Sequence, residues 1–207
     1  MKSKFLVAQG SLTDGGALLL VNAANTNVNL GSGVSGAIRA ACGRGYQDRI
    51  HAALQERYGG PMEPGQVLIT DAGAHPIARW VAHVAVMDYR QGFSARSFPT
   101  PERLERCYVN LWRAIETIEE ADEISIAAVA LGAGTGNVGL RNSVERACAT
   151  LVEHLEQTER SRIGDVTFYG YELPEYLVTL EVVRSFFEVD ASSVSDAARE
   201  FLATGDD

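Results

Sequence analysis

The sequence contains no long apolar run that could form a membrane-spanning helix. Within its 207 residues no stretch reaches the roughly 18 consecutive apolar residues that a transmembrane helix needs. The apolar run near the N-terminus, from Phe5 to Ala8, is too short for the core of a signal peptide. We therefore expect a cytoplasmic protein that does not insert into a membrane.

Cysteines are few and widely separated along the chain. Cys42, Cys107 and Cys148 are odd in number and form no CxxC pair. This pattern favours neither a disulfide framework nor a zinc site, so reduced thiols are expected. Nothing in the sequence indicates a metal ion or a cofactor.

Basic residues are also in the minority, since the formal net charge is -9 and the pI about 5.0. General binding to duplex nucleic acid requires a basic face, and the sequence does not contain one. An anionic ligand would have to be held by local backbone N–H groups and helix dipoles, against the overall field.

Apolar runs typical of strands alternate with helical patterns along the chain. The run Ile124–Leu131 is apolar on both faces, as expected for a central parallel strand. Thr100 and Pro101 predict the start of a long helix, and Gly59 predicts the end of an earlier one. The alternation predicts an α/β domain over residues 1–188. Residues 189–207 form a tail with a short helix that Ser192 or Ser193 could cap.

Two glycine-rich segments follow strand patterns and precede helix patterns. Loop one is GSGVSG, Gly31–Gly36, and loop two is LGAGTGNVG, Leu131–Gly139. Ligands of α/β sheets bind beyond the carboxyl ends of the strands, where glycines let backbone N–H groups converge on an anion. Either loop alone could be a tight turn, but the pair favours a diphosphate cradle. No GxxxxGK[ST] motif is present, and no acid follows loop two at the spacing of a dinucleotide fold.

Four segments together resemble the macro domain family over roughly residues 4–187. They are VNAAN, the loop-one turn GSGVSGAI, WVAHVAV, and LGAGTGNVGL after the central strand. The resemblance implies a three-layer α/β/α sandwich with a mixed, mainly parallel central sheet. It also implies a cleft for ADP-ribose or ADP-ribosylated molecules. Some members only bind this group, and others hydrolyse its linkages. The sequences of the two loops look most like those of a bacterial and archaeal subgroup.

The resemblance also implies roles for individual residues. Asn25 would contact the distal ribose and is the candidate catalytic residue, while Tyr171 would lie beside the adenine. Asn22 would belong to the site or fasten the loop, although the residues alone are also consistent with two asparagines that only cap turns. The other implied ligand-binding residues are Ser11, Leu12, Gly31, Ser32, Gly33, Val34, Ser35, Gly36, Gly132, Ala133, Gly134, Thr135, Gly136, Asn137 and Val138.

Three departures from the family pattern leave catalysis open. Ser11 stands where many members have an aspartate that accepts from the adenine amino group, so adenine selectivity is expected to be looser. Ser35 replaces the loop-one aspartate that orients water in the best-known hydrolases, and Arg39 replaces a helix histidine. In loop two, Gly136 or Asn137 stands where an aromatic residue usually packs on the distal ribose.

Several functions and residue roles therefore remain open. The chain could be a hydrolase of low activity, with Asp71 or Asp88 supplying the missing acid, or a reader that binds without catalysis. The fold could also be rebuilt for another nucleotide, or the cleft could be vestigial and the tail used in assembly. The oligomeric state is open. His83 is expected to be a structural histidine, His75 a surface residue and Cys42 a small buried residue.

Overall fold

The computed structural model describes residues 3–196, 198 and 199. A six-stranded sheet lies between two layers of helices. The strands are β1 (Phe5–Gln9), β2 (Leu19–Asn25), β3 (Val67–Asp71), β4 (Trp80–Met87), β5 (Ile124–Val129) and β6 (Ile163–Gly170). The helices are α1 (Gly33–Ala41), α2 (Tyr46–Tyr58), α3 (Pro101–Ile115), α4 (Leu140–Gln157) and α5 (Leu173–Phe186). The predicted three-layer α/β/α sandwich is confirmed.

The order of the strands decides where a ligand could bind. It is β1-β6-β5-β2-β4-β3, and every neighbouring pair is parallel except β3 and β4. The mixed, mainly parallel sheet is therefore also confirmed. Because five strands run in the same direction, their carboxyl ends meet at one edge of the sheet. Loop one follows β2 and loop two follows β5, which are neighbours, so both loops lie at that edge.

Each face of the sheet is covered by its own helices. Successive side chains of a strand point to opposite faces, so Leu20 packs with one layer and Val21 with the other. The first layer contains Ile38 of α1 and Ile50 of α2. The second contains α3, α4 and α5, with Trp112 fully buried at its centre. Burying one aliphatic side chain such as Ile38 or Ile50 contributes roughly 1.5–3 kcal/mol. The packing of the two helix layers on the sheet therefore holds the strand ends in place.

Helix boundaries follow the predicted capping residues. Thr100 accepts a hydrogen bond from the amide of Arg103, and Pro101 occupies the first turn of α3. At the end of α2, Gly59 has a φ of 70° and donates its N–H to the carbonyl of Gln55. Both predicted boundaries are confirmed. No helix among the described residues is long and apolar enough to cross a membrane.

The residue that caps the helical residues of the tail differs from the predicted one. The Oγ of Ser195 accepts from the amide of Ala198 at 3.2 Å, which makes Ser195 the cap of the helical residues that follow. Ser192 cannot take this role, because its amide and hydroxyl both donate to Asp190 in a 3₁₀ turn, Ala191–Ser193. The predicted cap, Ser192 or Ser193, was therefore wrong. Residues 197 and 200–203 of the predicted helix lie outside the described residues, and the division at residue 188 stays a prediction.

Candidate functional site

A cleft of about 560 Å³ opens at the carboxyl edge of the sheet, where loop one and loop two face each other. Gly33 and Val34 line one wall and Ala133 and Gly134 the other. The end near β1 and β6 is formed by Gly10, Ser11, Leu12, Tyr169, Tyr171 and Glu175. The lining is mostly apolar, and its polar side chains are concentrated at the end near β1 and β6.

Loop one presents backbone N–H groups to this cleft. The first N–H groups of an α-helix have no acceptor within the helix. The side chain of Ser32, which precedes α1, forms no capping hydrogen bond with them. Gly33 has a φ of 59°, and a Cβ atom at this position would meet no atom within 4 Å, so the space in front of it is open. The N-terminus of α1 can therefore receive an anion.

Loop two closes on itself through glycines. The amide of Val138 donates to the carbonyl of Gly132 at 3.2 Å, and the amide of Asn137 donates to Gly134 at 3.0 Å. A Cβ atom on Gly136 would lie 2.6 Å from the carbonyl oxygen of Gly132, which is too close for any side chain. The closed loop therefore excludes an aromatic residue at position 136. Among the described residues, the amides of 134–136 have no backbone acceptor.

A buried hydroxyl pair anchors the start of loop two. The amide of Leu131 donates to the hydroxyl of Tyr108 at 2.8 Å. That hydroxyl lies 2.7 Å from the Oγ of Ser143, and Ser143 donates to the carbonyl of Leu131, also at 2.7 Å. Since the Ser143 proton is used on that carbonyl, Tyr108 donates to Ser143. Each donor and acceptor in this closed cycle of hydrogen bonds has a partner, so Tyr108 of α3 and Ser143 of α4 together fix the position of loop two.

Asn22 lies behind loop one, fully buried, and does not line the cleft. Its Oδ1 accepts from the hydroxyl of Ser35 at 2.8 Å, and its Nδ2 lies 3.0 Å from Nδ1 of His83. The amide therefore donates to His83, whose proton sits on Nε2 and is donated to Thr70 at 3.2 Å. Burial lowers the pKa of His83 to about 3, which keeps the ring neutral. The network ties α1 to the sheet, and His83 has the structural role that its strand pattern indicated.

Asn25 uses its side chain to hold the segment that leads into loop one. Its Oδ1 accepts from the amides of Asn27 and Asn29, at 3.1 and 3.3 Å, and its Nδ2 donates to the carbonyl of Asn29 at 3.0 Å. Val28 within this turn has a φ of 51°, an unfavourable value for a β-branched residue. Its carbonyl accepts from Gln47 of α2 at 2.8 Å, so the strained turn is held from both sides.

The two candidate acids do not supply a base to the cleft. Asp71 pairs with Trp80, the first residue of β4, so the antiparallel direction of β3 places it at the opposite edge of the sheet. The carboxylate of Asp88 bonds Arg90 through both oxygens, each at 2.9 Å, and this pairing lowers the pKa of the carboxyl. The expectation that Asp71 could lie at the cleft mouth was wrong.

Two further expectations concern buried side chains. His75 was expected at the surface but is buried, because its Nδ1 accepts from the amides of Ile77 and Ala78 while Nε2 donates to Thr13. Cys42 is buried as expected, and burial raises the pKa of its thiol to about 11, so it is not an activated nucleophile.

The predicted residues fall into three groups in the structure. The first group lines the cleft: Ser11, Leu12, Gly33, Val34, Ala133, Gly134 and Tyr171. The second shapes or supports the loops without lining it: Asn22, Asn25, Gly31, Ser32, Ser35, Gly36, Gly132, Thr135 and Gly136. The third, Asn137 and Val138, borders a separate groove along α3 and α4. Tyr169 and Glu175 line the cleft and were not predicted, although the period of two in β6 and the Glu172–Glu175 spacing at the start of α5 could have indicated them.

The model of the Macro domain family matches residues 21–147, more than half of the chain. The chain belongs to the macro domain family. The match contains both glycine-rich loops that form the cleft walls. The strands β3, β4 and β5 also fall within it, as does β2 from Val21 onwards.

Macro domain relatives cover most of the chain. A macro domain-containing protein of Xanthomonas axonopodis pv. citri is 34% identical over 62% of this chain and 67% of its own length. An O-acetyl-ADP-ribose deacetylase of Cronobacter turicensis is 27% identical over 91% of this chain and 100% of its own. Among solved structures, a mutant of the Oceanobacillus iheyensis macrodomain with ADPR has a TM-score of 0.70 and 21% identity, covering 86% of this chain and 91% of that one. That likeness shows the fold.

Proposed function

We propose that this macro domain binds ADP-ribose, free or attached to another molecule, in the cleft between loop one and loop two. The observation that carries the proposal is the convergence of two glycine-rich loops, both with free backbone N–H groups, on one cleft of about 560 Å³. Clefts of this volume suit a ligand of nucleotide size. The name of the Cronobacter turicensis relative and the ADPR in the solved macrodomain support the same ligand class.

The diphosphate is the part of the ligand that both loops can hold. The N-terminus of α1 contributes N–H groups and a favourable helix dipole, and loop two contributes the unpaired amide of Gly134, which lines the cleft. These groups compensate locally for a chain whose net charge is -9. The open space at Gly33 allows the backbone to approach a phosphate without a side chain between them.

Binding is better supported than hydrolysis. A hydrolase needs a base or a positioned water near the distal ribose. Ser35 donates its hydroxyl to Asn22 and does not line the cleft, and a serine hydroxyl is not a base that could activate water at neutral pH. The amide of Asn25 is engaged by its own turn, and the one carboxylate among the described lining residues, Glu175, lies at the far end beside Tyr171. The protein is therefore proposed to act as a reader that retains its ligand.

Titration calorimetry with ADP-ribose, and with AMP for comparison, tests the proposal. We expect micromolar binding of ADP-ribose that Gly33→Glu abolishes, because the new carboxylate fills the phosphate position. Gly59→Glu is the matched control, since Gly59 also has a positive φ and open space but lies at the end of α2, away from the cleft. Absence of ADP-ribose binding by the unmodified protein would refute the proposal. A release assay on O-acetyl-ADP-ribose separates reader from hydrolase, because turnover would contradict the reader role.

A further inference from the structure

The two edges of the six-stranded sheet differ in whether another segment covers them. At the β1 edge, Phe5 forms a parallel bridge with Val189, and the amide of Asp190 donates to the carbonyl of Phe5 at 2.9 Å. The segment after α5 therefore covers part of that edge. At the opposite edge, β3 pairs with β4 on one side and with no other strand of the described chain on the other. An open strand edge can accept a further extended segment.

Alternate residues of β3 direct their backbone groups to the open side. In an antiparallel pair, every second residue exchanges hydrogen bonds with the partner strand. The carbonyl of Gln66 accepts from the amide of Ala85 in β4, and the amide of Ala72 donates to the residue that precedes β4, each at 2.9 Å. The even-numbered residues of this segment therefore face β4, and the odd-numbered residues face away from it.

Most of the outward backbone groups are available to a partner. The carbonyl of Val67 accepts from the hydroxyl of Tyr58 at 2.8 Å, and the carbonyl of Asp71 accepts from the hydroxyl of Thr70 at 3.0 Å. Within the described residues, the amides of Val67, Ile69 and Asp71 and the carbonyl of Ile69 have no hydrogen-bond partner. These groups recur at every second residue, as the ladder of an added strand requires.

The open edge of β3 forms the base of a groove of about 920 Å³ between α2 and α3, which we call the β3 groove. Ala53 of α2 and Ala114 of α3 line its two walls, and their small side chains leave room for a slender backbone. A second copy of β3 would bring its own α2 and α3, which would meet these walls. A single extended segment fits between the walls without that conflict.

Arginines without a partner stand on both walls of the β3 groove. Arg57 belongs to α2 and Arg113 to α3, and neither forms an ion pair or a hydrogen bond with any residue that the structure describes. Glu56 is the one carboxylate among the described lining residues, so the groove carries a net positive charge. In a chain with a net charge of -9, two free guanidinium groups beside one open strand edge favour an acidic occupant.

We propose that the β3 groove binds an extended acidic segment of another protein, which adds to β3 as a further strand. Successive side chains of a strand point to opposite faces, so neighbouring residues of the segment face α2 and α3 in turn. In β3 itself, Leu68 packs with the α2 layer, whereas Val67 and Ile69 pack with the α3 layer. Two adjacent acidic residues of the added segment therefore reach Arg57 on one wall and Arg113 on the other.

Selection from a displayed library of random hexapeptides, followed by calorimetry with the enriched peptides, tests the proposal. The unmodified protein should enrich strand-forming sequences that contain two adjacent acidic residues. Ile69→Pro should abolish their binding, because proline has no N–H to donate to the added strand. The N–H of Ile69 points away from β4, so this change keeps the β3–β4 ladder, which thermal unfolding checks.

A second variant tests the charge of the groove without altering the strand. Arg57→Glu combined with Arg113→Glu should weaken binding of the acidic peptides roughly tenfold, since two attractions become two repulsions. Arg44→Glu combined with Arg160→Glu is the matched control. It makes the same charge change at two exposed arginines outside the groove and should leave the peptide affinity unchanged.

Two results would overturn the proposal, and neither depends on ADP-ribose or the cleft. In the first, the unmodified protein enriches no acidic sequence, or the enriched acidic peptides bind Ile69→Pro and the double variant at Arg57 and Arg113 as tightly as the unmodified protein. In the second, sedimentation shows a dimer of the unmodified protein that Ile69→Pro dissociates, so that a second copy occupies the edge of β3. Acidic peptides that lose affinity in both variants and keep it in the control support the proposal.

Discussion

Lowering the pH from 7.5 to 5.0 should destabilise this protein through His83. The ring is fully buried, and burial lowers its pKa to about 3, whereas an unfolded histidine has a pKa near 6.5. Below pH 6.5 the unfolded chain therefore binds a proton that the folded chain does not. The contribution of neutral His83 to stability is fully present above pH 6.5 and is lost progressively as the pH falls towards 3. At pH 5.0 the loss is about 1.5 pKa units, or about 2 kcal/mol of unfolding free energy.

The structural reason for this loss is the direction of the hydrogen bonds around the ring. Nδ1 of His83 accepts from Asn22, and Nε2 faces the hydroxyls of Thr70 and Tyr46. A second proton on Nδ1 would meet the Asn22 amide as donor against donor. The carbonyl of Asn22 cannot rotate into its place without releasing the hydroxyl of Ser35. Protonation thus costs either an unpaired buried charge or the link to α1.

Urea unfolding followed by tryptophan fluorescence at pH 7.5, 6.0 and 5.0 measures the effect. We expect the unmodified protein to lose about 2 kcal/mol between the first and last pH. His83→Gln should be less stable at pH 7.5 but nearly independent of pH, since its amide cannot be protonated in this range. His51→Gln, a change at an exposed histidine, is the control and should keep the unmodified dependence. If His83→Gln loses as much stability as the unmodified protein, the assignment of the pH effect to His83 is refuted.

Three further predictions concern loop two, loop one and the thiols. Tyr108→Phe leaves the buried amide of Leu131 without its acceptor and should cost about 1–3 kcal/mol in urea unfolding; a loss no larger than that of Tyr58→Phe, at a half-buried hydroxyl, would contradict this. Asn25→Ala removes the three hydrogen bonds of its turn and should weaken ADP-ribose binding severalfold by calorimetry; unchanged affinity would show that the turn does not support the site. At pH 8 the folded protein should not react with a thiol reagent, because burial raises the thiol pKa to about 11 at Cys42 and to about 12 at Cys107 and Cys148. In urea all three thiols should react, and fast reaction before urea is added would contradict this.

Much of the fold could be predicted because its signals are local. The both-face apolar run of β5, the cap formed by Thr100 and the glycine after α2 each act within a few residues. The position of loop one and loop two followed from a general property of parallel sheets, that carboxyl ends share an edge. The cleft walls at Gly33 and Gly134 were therefore predictable.

The residues that were misjudged depend on partners distant in the chain. His75 was expected at the surface because it precedes a proline, but its ring bonds Thr13, which is 62 positions away. Asp71 ends a strand like any other in the sequence, and only the antiparallel pairing with β4 places it at the wrong edge for catalysis. Neither pairing leaves a local pattern.

By itself the sequence determined the α/β class, the two glycine-rich loops and the macro domain resemblance, because periodicity and backbone-permissive residues act locally. Tertiary structure alone decided which side chains face the cleft. It turned the hydroxyl of Ser35 in loop one towards Asn22 behind the loop, engaged Asn25 in its own turn, and brought Glu175 of α5 to the cleft beside Tyr171. The physical reason is that a hydrogen bond consumes a donor or acceptor, and the partner that consumes it is chosen by packing between elements far apart in the chain.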